Sequence, residues 1–505
     1  MGLANHGRII NQCAQALTLL CSPFFSSPRL PVPLNDSTIQ PQGDAYESAL
    51  GFLYRQINYE KMTGLTANCY RFRLRRMSEL LSDLGLGRFL HSSHPVPPVP
   101  LIHIAGTKGK GSVAAMAASI LTASGLRTGL YTSPHLHRLE ERFRVDGQIC
   151  SPKQLVPLVE RLRQTVDPPS SNDPSSGEGN ASFFELTTAL ALLHFEREKC
   201  EAIVLEVGLG GRLDSTNVCA PSVSVVTSIG LDHQHVLGED VVQIAAEKAG
   251  IIKSGVPVVS GVVDPDAQRV VRSTAAEQQS AFFQLGSDFE VTSTAGASWG
   301  SRIDYTGLGN PGRRIQAVLP LEGKHQSRNA AIAIATLEAL DQQKVVVPDS
   351  AIVEGLAGLK CPGRVERFDL PDGVLAVVDV AHNEDSITAL CDCLRNRFSE
   401  RSIAVVFGTS VDKSAEPMLE RLSEIADELV LTRFHDNSRF VDPSDLLPLL
   451  RPGWSGQAQI IAQPIDACRA ALEKVSPGGI LVICGSFFLA AETRRWVESV
   501  SLLSN

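Results

Sequence analysis

The chain has 505 residues, of which 43% are hydrophobic and 20% are charged. This composition provides enough apolar side chains for packed cores and excludes a globally disordered protein. The length exceeds that of an average domain several times, which predicts two or more domains. Lysine and arginine number 46 against 55 acidic residues, a net charge of −9. We therefore expect no nucleic-acid partner bound through bulk charge. No run approaches the roughly 18 apolar residues of a membrane-spanning helix, so we expect no membrane partner.

The cysteines and the N-terminal residues indicate the cellular compartment of the protein. Eleven cysteines are scattered without a C-x-x-C pair, which indicates neither a zinc ribbon nor a disulfide framework and fits a reducing compartment. Residues 1–43 are rich in Ser, Pro and Leu, and Asp36 is their first acidic residue. An acid-poor leader could be an organellar transit segment, but only Arg8 and Arg29 supply positive charge. We expect a disordered extension and a cytoplasmic protein.

From Pro100 onward, short apolar runs alternate with helical stretches, which predicts an α/β fold with a mostly parallel sheet covered by helices. The first series predicts a helix at 113–124 and strands at 101–105, 128–132, 202–207, 222–229 and 257–261. Residues 167–182 have no apolar periodicity and indicate a surface insertion. A second series predicts a helix at 329–340 and strands at 374–379, 403–408, 428–432 and 480–485. We place the domain boundary near residue 320, with a smaller, Rossmann-like α/β domain over 321–505.

The segment Ile104–Ser112 (IAGTKGKGS) leaves a predicted strand and enters a predicted helix. Backbone N–H groups at a helix start bind anions, glycines allow close approach, and a loop lysine reaches the terminal phosphates. The standard pattern G-x-x-x-x-G-K-[ST] nevertheless fails, since Gly111 replaces its hydroxyl residue. An ordinary turn with solvated Lys108 and Lys110 is the alternative. The order of strand, glycine, lysine, serine and helix favours an ATP site, and makes 44–320 a P-loop ATPase domain.

Three polar residues follow predicted strands, at the end where open α/β sheets bind ligands: Ser133, Glu206 and His233. Glu206 lies in an apolar strand, where a carboxylate is unfavourable unless it is paired or binds a metal. Mg²⁺ prefers oxygen ligands, so Glu206 is the strongest candidate and histidine a less usual one. A zinc site at His233 and His235 is a weaker alternative, because no third ligand accompanies the pair. Ser133 could equally be a turn residue.

The small and polar residues of 208–217 (GLGGRLDSTN) indicate a backbone-lined binding loop next to the buried acid. With this loop, the chain resembles the folylpolyglutamate synthase/dihydrofolate synthase family, a branch of the Mur ligases, which form amide bonds with ATP. The resemblance runs from about Tyr46 to Val497, and GLGGRLD is more similar to bacterial bifunctional members. The motifs, in the family's order, are GTKGKGS (106–112), YTSPHL (131–136), FFELTTAL (183–190), EVGLGGRLDSTN (206–217), TSIGLDH (227–233), EKAGIIK (247–253), RNAAIA (328–333), PGR (362–364) and DVAHN (379–383).

The resemblance implies roles for individual residues. ATP would be bound by Thr107, Lys108, Gly109, Lys110, Gly111, Ser112, Asn329, Arg364, Asp379 and His382. One or two Mg²⁺ ions would be held by Ser133, Glu206 and His233. The pterin substrate would lie against Ser182, Phe183, Phe184, Glu185, Leu213, Asp214 and Ser215. The implied catalytic lysines are Lys110 and Lys248, and Lys248 matches a family lysine that can be carbamoylated and assist a second Mg²⁺.

The implied activity adds L-glutamate to 7,8-dihydropteroate and to folyl-polyglutamates through an acyl phosphate, with ATP as co-substrate. The resemblance implies an active site between two domains, and we expect a cytoplasmic monomer. A cell-wall precursor ligase, a P-loop kinase or NTPase, and a nucleotide-binding scaffold are the alternatives. The sequence departs from the family at Lys108, usually Asn, and at Glu384, usually Pro. Its pterin-binding stretch before the sheet is only loosely matched, around 62–65.

Overall fold

The computed structural model describes residues 43–56, 58, 74–166, 181–296, 299–309, 312–341, 345–398 and 401–503. The expected extension at 1–43, the insertion at 167–182 and the loosely matched stretch at 62–65 lie wholly or almost wholly outside these residues. The chain divides into two compact units. The first contains Tyr46–Val365 and Ala389–Arg397, and the second consists mainly of Glu366–Thr388 and Phe398–Asn505.

The first unit is built on an eight-stranded sheet. Its strands are β1 (Leu101–Ala105), β2 (Thr128–Tyr131), β3 (Phe143–Val145), β4 (Gln148–Ile149), β5 (Ala202–Glu206), β6 (Val223–Val226), β7 (Val258–Ser260) and β8 (Phe282–Gln284). Their order is β4-β3-β2-β5-β1-β6-β7-β8. Strand β3 pairs in antiparallel fashion with both β2 and β4, and the other pairs are parallel. The central strands are fully buried, as expected for a parallel sheet with helices on both faces. The five predicted strands of this part are confirmed, with ends shifted by a few residues.

Ten helices are described in the first unit: α1 (Gly43–Tyr54), α2 (Leu74–Asp83), α3 (Lys110–Ala123), α4 (Pro152–Val166), α5 (Phe183–Arg197), α6 (Gln234–Leu237), α7 (Val241–Ala249), α8 (Pro265–Glu277), α9 (Lys324–Asp341) and α10 (Asp349–Ala357). Their apolar sides form two large cores. One contains buried residues of α3, α9 and α10, and the other contains those of α1, α2, α4 and α5.

A three-stranded antiparallel sheet, which the sequence pattern does not predict, follows β8. It consists of β9 (Glu290–Ala295), β10 (Ser301–Gly309) and β11 (Gly312–Leu319), in the order β11-β10-β9. Its inward side chains Ile303, Tyr305 and Ile315 share one core with α3 and α9. Because α9 is buried in that core, the compact units divide after Val365, later than the boundary expected near residue 320.

The second unit has a six-stranded sheet of β12 (Glu366–Asp369), β13 (Leu375–Val378), β14 (Ile403–Phe407), β15 (Glu428–Leu431), β16 (Gln457–Ile460) and β17 (Ile480–Cys484). The order is β12-β13-β17-β14-β15-β16, and all pairs are parallel except β12 with β13. The remaining helices are α11 (Glu384–Phe398), of which Ala389–Arg397 belong to the first unit, α12 (Ala415–Ser423), α13 (Pro443–Leu446), α14 (Pro464–Lys474) and α15 (Phe487–Leu502). This parallel sheet confirms the four strands predicted in the second series. Among the described helices, none is long and apolar enough to cross a membrane.

Candidate active site

The glycine-rich loop 106–109 connects β1 to the first residue of α3. Gly106 has φ +152° and Gly109 has φ +82°, and glycine tolerates such positive values better than other residues do. The surroundings also leave no room for a side chain. A Cβ on Gly106 would lie 2.0 Å from Thr227 Oγ1, and one on Gly109 would lie 2.6 Å from Asn329 Oδ1. The loop thus presents the start of a long helix in the manner of an anion-binding site.

The loop is held in place by the segment that follows β6. The Thr107 N–H donates to the Ser228 carbonyl at 2.7 Å, and the Gly230 N–H donates to Thr107 Oγ1 at 3.1 Å. Thr227 Oγ1 donates to the Lys108 carbonyl at 2.6 Å. These bonds fix the loop backbone without using the first N–H groups of α3, which are the groups that bind anions at helix starts.

Two lysines converge on the loop. Lys110 Nζ donates to the Gly106 carbonyl at 3.0 Å, and Lys248 Nζ, from α7, donates to the same oxygen at 3.1 Å. Lys248 is only 4% exposed. Burial, together with the positive charge of Lys110, lowers the pKa of Lys248 to about 7. Lys248 is therefore a candidate for a lysine that is partly neutral near neutral pH.

Glu206, the last residue of β5, is a buried carboxylate beside the first turn of α3. A Cβ on Gly111 would lie 3.4 Å from Glu206 Oε2, and the Ser133 N–H donates to that same oxygen at 3.1 Å. Burial raises the pKa of Glu206, whereas Lys110, the Ser133 N–H and Arg364 lower it. An additional cation next to this carboxylate would favour its charged form.

This donor set suits Mg²⁺ in part. Glu206 and Ser133 adjoin each other and offer a carboxylate and a hydroxyl, which are oxygen ligands of the kind Mg²⁺ prefers. His233 has φ +50° and contacts its neighbour Asp232, with Nε2 3.9 Å from Asp232 Oδ1. Within the described ranges, no three His, Cys, Asp or Glu side chains cluster to hold a metal. A divalent ion at Glu206 would therefore complete its shell with phosphates and water, as Mg²⁺ commonly does.

Two more expected nucleotide ligands lie in the first unit. Asn329, on α9, adjoins Gly109, and its Nδ2 donates to Gln326 Oε1 at 3.1 Å. Arg364 lies close enough to Glu206 to lower its pKa. We expected Asn329 and Arg364 in the C-terminal domain, but both belong to the same compact unit as the phosphate loop, because the helix that carries Asn329 packs on α3.

Asp379 and His382 belong to the second unit, immediately after β13. The Asp379 carboxylate accepts the Ala381 N–H at 2.7 Å, and His382 Nδ1 lies 2.8 Å from the Val380 carbonyl. Both side chains therefore shape the turn at the carboxyl end of a parallel strand, where ligands bind in such sheets.

The residues expected to contact pterin at the start of α5 have structural partners. Ser182 and Glu185 form a capping box, in which each side chain bonds the other residue's backbone N–H. Glu185 also forms a bidentate ion pair with Arg76, at 2.9 and 2.5 Å. Phe183 is buried and stacks on Tyr54 at 5.6 Å between ring centroids. In contrast, Phe184 is only partly buried.

The binding loop 208–217 is stabilised by hydrogen bonds of its own residues. Asp214 accepts the N–H groups of Gly208 and Leu209, both at 3.0 Å. Ser215 Oγ lies 3.0 Å from Thr188 Oγ1, while Leu213 is partly exposed. Asp214 and Ser215 thus stabilise the loop. Of the three residues expected to contact pterin here, Leu213 is the one with solvent-exposed surface.

Ser112, an expected nucleotide ligand, is buried in the first turn of α3, where its side chain contacts the Cys361 thiol. Arg142, in contrast, was not anticipated from the sequence. Arg142 is 1% exposed, donates from Nε to His135 Nδ1 at 2.9 Å and lies 5.3 Å above the Phe183 ring. An arginine in a polar stretch gives no signal of burial, so only the fold could reveal it.

The phosphate loop, the buried carboxylate and the two α/β units define a nucleotide-dependent enzyme of the Mur ligase class. Residues 104–337 match the family model of the Mur ligase middle domain, and residues 363–487 match that of the Mur ligase glutamate ligase domain.

Individual relatives narrow the class. A folylpolyglutamate synthase of Lacticaseibacillus casei is 36% identical over 83% of this chain and 93% of its own length. A dihydrofolate synthase/folylpolyglutamate synthase of Bacillus subtilis is 31% identical over 89% and 99%. The structure of a Mycobacterium tuberculosis folylpolyglutamate synthase complexed with ADP and AMPPCP superimposes with a TM-score of 0.78 at 30% identity, covering 90% of this chain and 99% of that one. The chain belongs to the folylpolyglutamate synthase/dihydrofolate synthase family.

Proposed function

We propose that this protein is an ATP-dependent ligase that adds L-glutamate to 7,8-dihydropteroate and to folyl-polyglutamates. The observation that carries the proposal is the convergence of Lys110, Lys248 and Glu206 on one phosphate loop. The names of the relatives support the acceptor. One is a folylpolyglutamate synthase and another carries both synthase names.

The reaction must first activate a carboxylate, which is a poor electrophile. An oxygen of the acceptor carboxylate attacks the γ-phosphorus of ATP, the bond to the β–γ bridging oxygen breaks, and ADP leaves. The neutral amine of L-glutamate then attacks the carbonyl carbon of the acyl phosphate. Phosphate departs with the electrons of the C–O bond, and the amine loses a proton to solvent. Most of the catalysis in such a transfer comes from positioning and from stabilising charge.

The phosphate loop would supply most of that stabilisation. The N–H groups at the start of α3, from Gly109 to Ser112, and the Lys110 ammonium would bind the β- and γ-phosphates. Thr107 is held by its own hydrogen bonds and would keep the loop in shape. Lys108 adds a further positive charge in the loop. Asn329, against Gly109, and Arg364, near Glu206, would bind the nucleotide from the other side of the loop.

The protein would hold Mg²⁺ through Glu206 and Ser133, with His233 as a further ligand. Bound there, the ion would neutralise phosphate charge during transfer. The Glu206 carboxylate adjoins the first turn of α3, and Ser133, whose N–H donates to that carboxylate, supplies a second oxygen ligand. Lys248, with its lowered pKa, fits a lysine that reacts with CO₂ to form a carbamate and assists a second ion.

The pterin would lie against Phe184 and Leu213, the partly exposed members of the expected set. Ser182, Phe183, Glu185, Asp214 and Ser215 would shape this pocket from behind, through the contacts described above. Asp379 and His382 stay predicted nucleotide ligands. We further propose that the enzyme acts as a cytoplasmic monomer.

The test is release of ADP from MgATP, measured with and without L-glutamate and with either 7,8-dihydropteroate or tetrahydrofolate as acceptor. Turnover on both acceptors that requires L-glutamate establishes the bifunctional ligase, and turnover on one assigns a single activity. A P-loop kinase or NTPase would release ADP without L-glutamate. Glutamate-independent release, or none with either acceptor from folded protein, contradicts the proposal.

A further inference from the structure

A histidine in the centre of the sheet is linked to the binding loop. His103 is fully buried in β1, between β5 and β6. Its Nε2 lies 2.8 Å from Thr216 Oγ1. No described residue lies within hydrogen-bond reach of its buried Nδ1. Burial of this kind needs a compensating contact, and the contact to Thr216 is the one that the fold provides.

The hydrogen bonds from His103 to Asp214 all run in one direction. Thr216 Oγ1 lies 2.5 Å from Asp214 Oδ1 and donates its single proton to that carboxylate. The same hydroxyl oxygen must then accept from His103 Nε2. Burial lowers the pKa of His103 to about 3, so the ring is neutral and carries its one proton on Nε2. The chain therefore runs His103 Nε2–H to Thr216 Oγ1–H to Asp214.

The far end of this chain fixes the loop backbone. Asp214 Oδ1 also accepts the Thr216 N–H at 3.0 Å, and Oδ2 accepts the N–H groups of Gly208 and Leu209. Burial raises the pKa of Asp214, and these donors oppose the rise. The carboxylate thus closes the turn 208–214 on itself. Without its hydroxyl partner it would be a buried charge with one donor fewer.

The loop adjoins the proposed pterin surface. A Cβ on Gly208 would lie 2.4 Å from the Phe184 ring, so the turn packs directly on that side chain. The other end of the loop is held separately, because Asn217 Nδ2 donates to the carbonyls of Arg212 and Gly250 at 2.8 and 3.0 Å. Loss of the His103 chain should therefore loosen the turn at Gly208 and Leu209, while Arg212 and Asn217 stay in place.

We propose that His103 is a positioning residue whose Nε2–H, acting through Thr216 and Asp214, fixes the loop 208–214 against Phe184 and sets the affinity for the pterin acceptor. This inference rests on the proposed function. The phosphate loop continues from the same strand but is braced by the segment after β6. Nucleotide affinity is therefore independent of this chain.

The variants Thr216→Val and His103→Leu each break the chain, whereas Thr216→Ser and His103→Gln retain a hydroxyl and a donor. Leaving a buried polar group without a hydrogen-bond partner destabilises the arrangement that contains it, by about tenfold or more in its equilibrium constant. We expect the breaking variants to raise KM for the acceptor at least about tenfold, with KM for ATP unchanged, and the retaining variants to restore most of the affinity. The double variant should be no worse than the poorer single variant, because the chain is broken once.

His194→Gln is the control, since His194 is another buried histidine with an unpartnered Nδ1 among the described residues. Equal increases in both KM values, or a lower melting temperature with unchanged KM values, would overturn the inference. Hydrogen exchange tests the role of His103 independently of the proposed function. Even if no pterin acid is turned over, Thr216→Val should speed exchange of the Gly208 and Leu209 amides and leave that of Thr107 unchanged, and equal exchange in both proteins would refute it.

Discussion

The ammonium groups of Lys110 and Lys248 donate to the same carbonyl oxygen, that of Gly106, at 3.0 and 3.1 Å. Two like charges this close repel each other, and one of them is buried. Burial, and after it this repulsion, lowers the pKa of Lys248 to about 7. The loop thus combines a charged lysine, suited to phosphate, with a second that loses its proton near neutral pH.

Lys110→Ala should abolish catalysis while the fold is retained. The variant removes the only charge that donates from α3 back to the loop carbonyl among the described contacts. Loss of one stabilising donor typically reduces kcat about 100- to 1,000-fold, so glutamate-dependent ADP release should fall by at least that factor. Lys153→Ala, at an exposed position of α4, is the matched control. Normal turnover in Lys110→Ala would remove this lysine from the mechanism.

The pKa of Lys248 predicts how stability depends on pH. Its pKa falls from 10.5 to about 7 on folding, so between these values the unfolded chain binds more protons than the folded one. Stability contributed by this group therefore rises with pH from about 7 to 10.5. The melting temperature of the wild type relative to Lys248→Met should increase between pH 7 and pH 9 and be constant below pH 6. A difference that is independent of pH would show that Lys248 keeps its proton in the folded state.

Glu206→Gln tests the metal site. The change keeps the shape of the side chain but removes the charge that would bind Mg²⁺, so the Mg²⁺ concentration for half-maximal ADP release should rise at least about tenfold. Thermal stability should not fall, because a neutral amide avoids the unfavourable burial of a carboxylate. Glu277→Gln, at the exposed end of α8, serves as the control. An unchanged Mg²⁺ requirement would rule out Glu206 as a ligand.

Two adjacent arginines of α2 give a matched test of the α5 helix start. Arg76 pairs with Glu185, with side chains 19% and 7% exposed, whereas Arg75 pairs with Glu79 at 88% and 56%. Arg76→Met leaves a buried carboxylate without its cation, which should reduce the free energy of unfolding by about 3 kcal/mol. Arg75→Met should have no measurable effect. Urea unfolding of both variants provides the measurement, and equal stabilities would show that Glu185 is solvated.

The sequence predicted those parts of the fold that local pattern determines. Buried apolar runs such as 101–105 and 480–485 were recognisable as strands because parallel strands covered on both faces are continuously apolar. The strand Glu290–Ala295 was missed, since four of its six residues are exposed and it contains mostly polar side chains. The helix of Asn329 was assigned to the second domain because sequence order does not reveal which sheet a helix packs on.

The residues of the site were likewise predictable where local sequence determines them and unpredictable where tertiary structure does. The phosphate loop and Glu206 could be recognised from their own residues, because the relevant chemistry lies within a few positions. The pairing of Lys248 with Gly106 joins residues 142 positions apart, and that of His103 with Thr216 joins residues 113 apart. Such pairs depend on tertiary structure. For Lys248, a role in the site was predicted only from the resemblance to a family.

The most direct test of the acyl phosphate mechanism follows an oxygen atom of the acceptor carboxylate into the released phosphate. The acceptor is prepared with ¹⁸O in the carboxylate that is to be joined to L-glutamate, and the released phosphate is analysed by mass spectrometry. An acyl phosphate transfers one carboxylate oxygen to phosphate in each turnover, so we expect one ¹⁸O atom per phosphate. Phosphate without ¹⁸O, formed together with the glutamyl product, would contradict the mechanism.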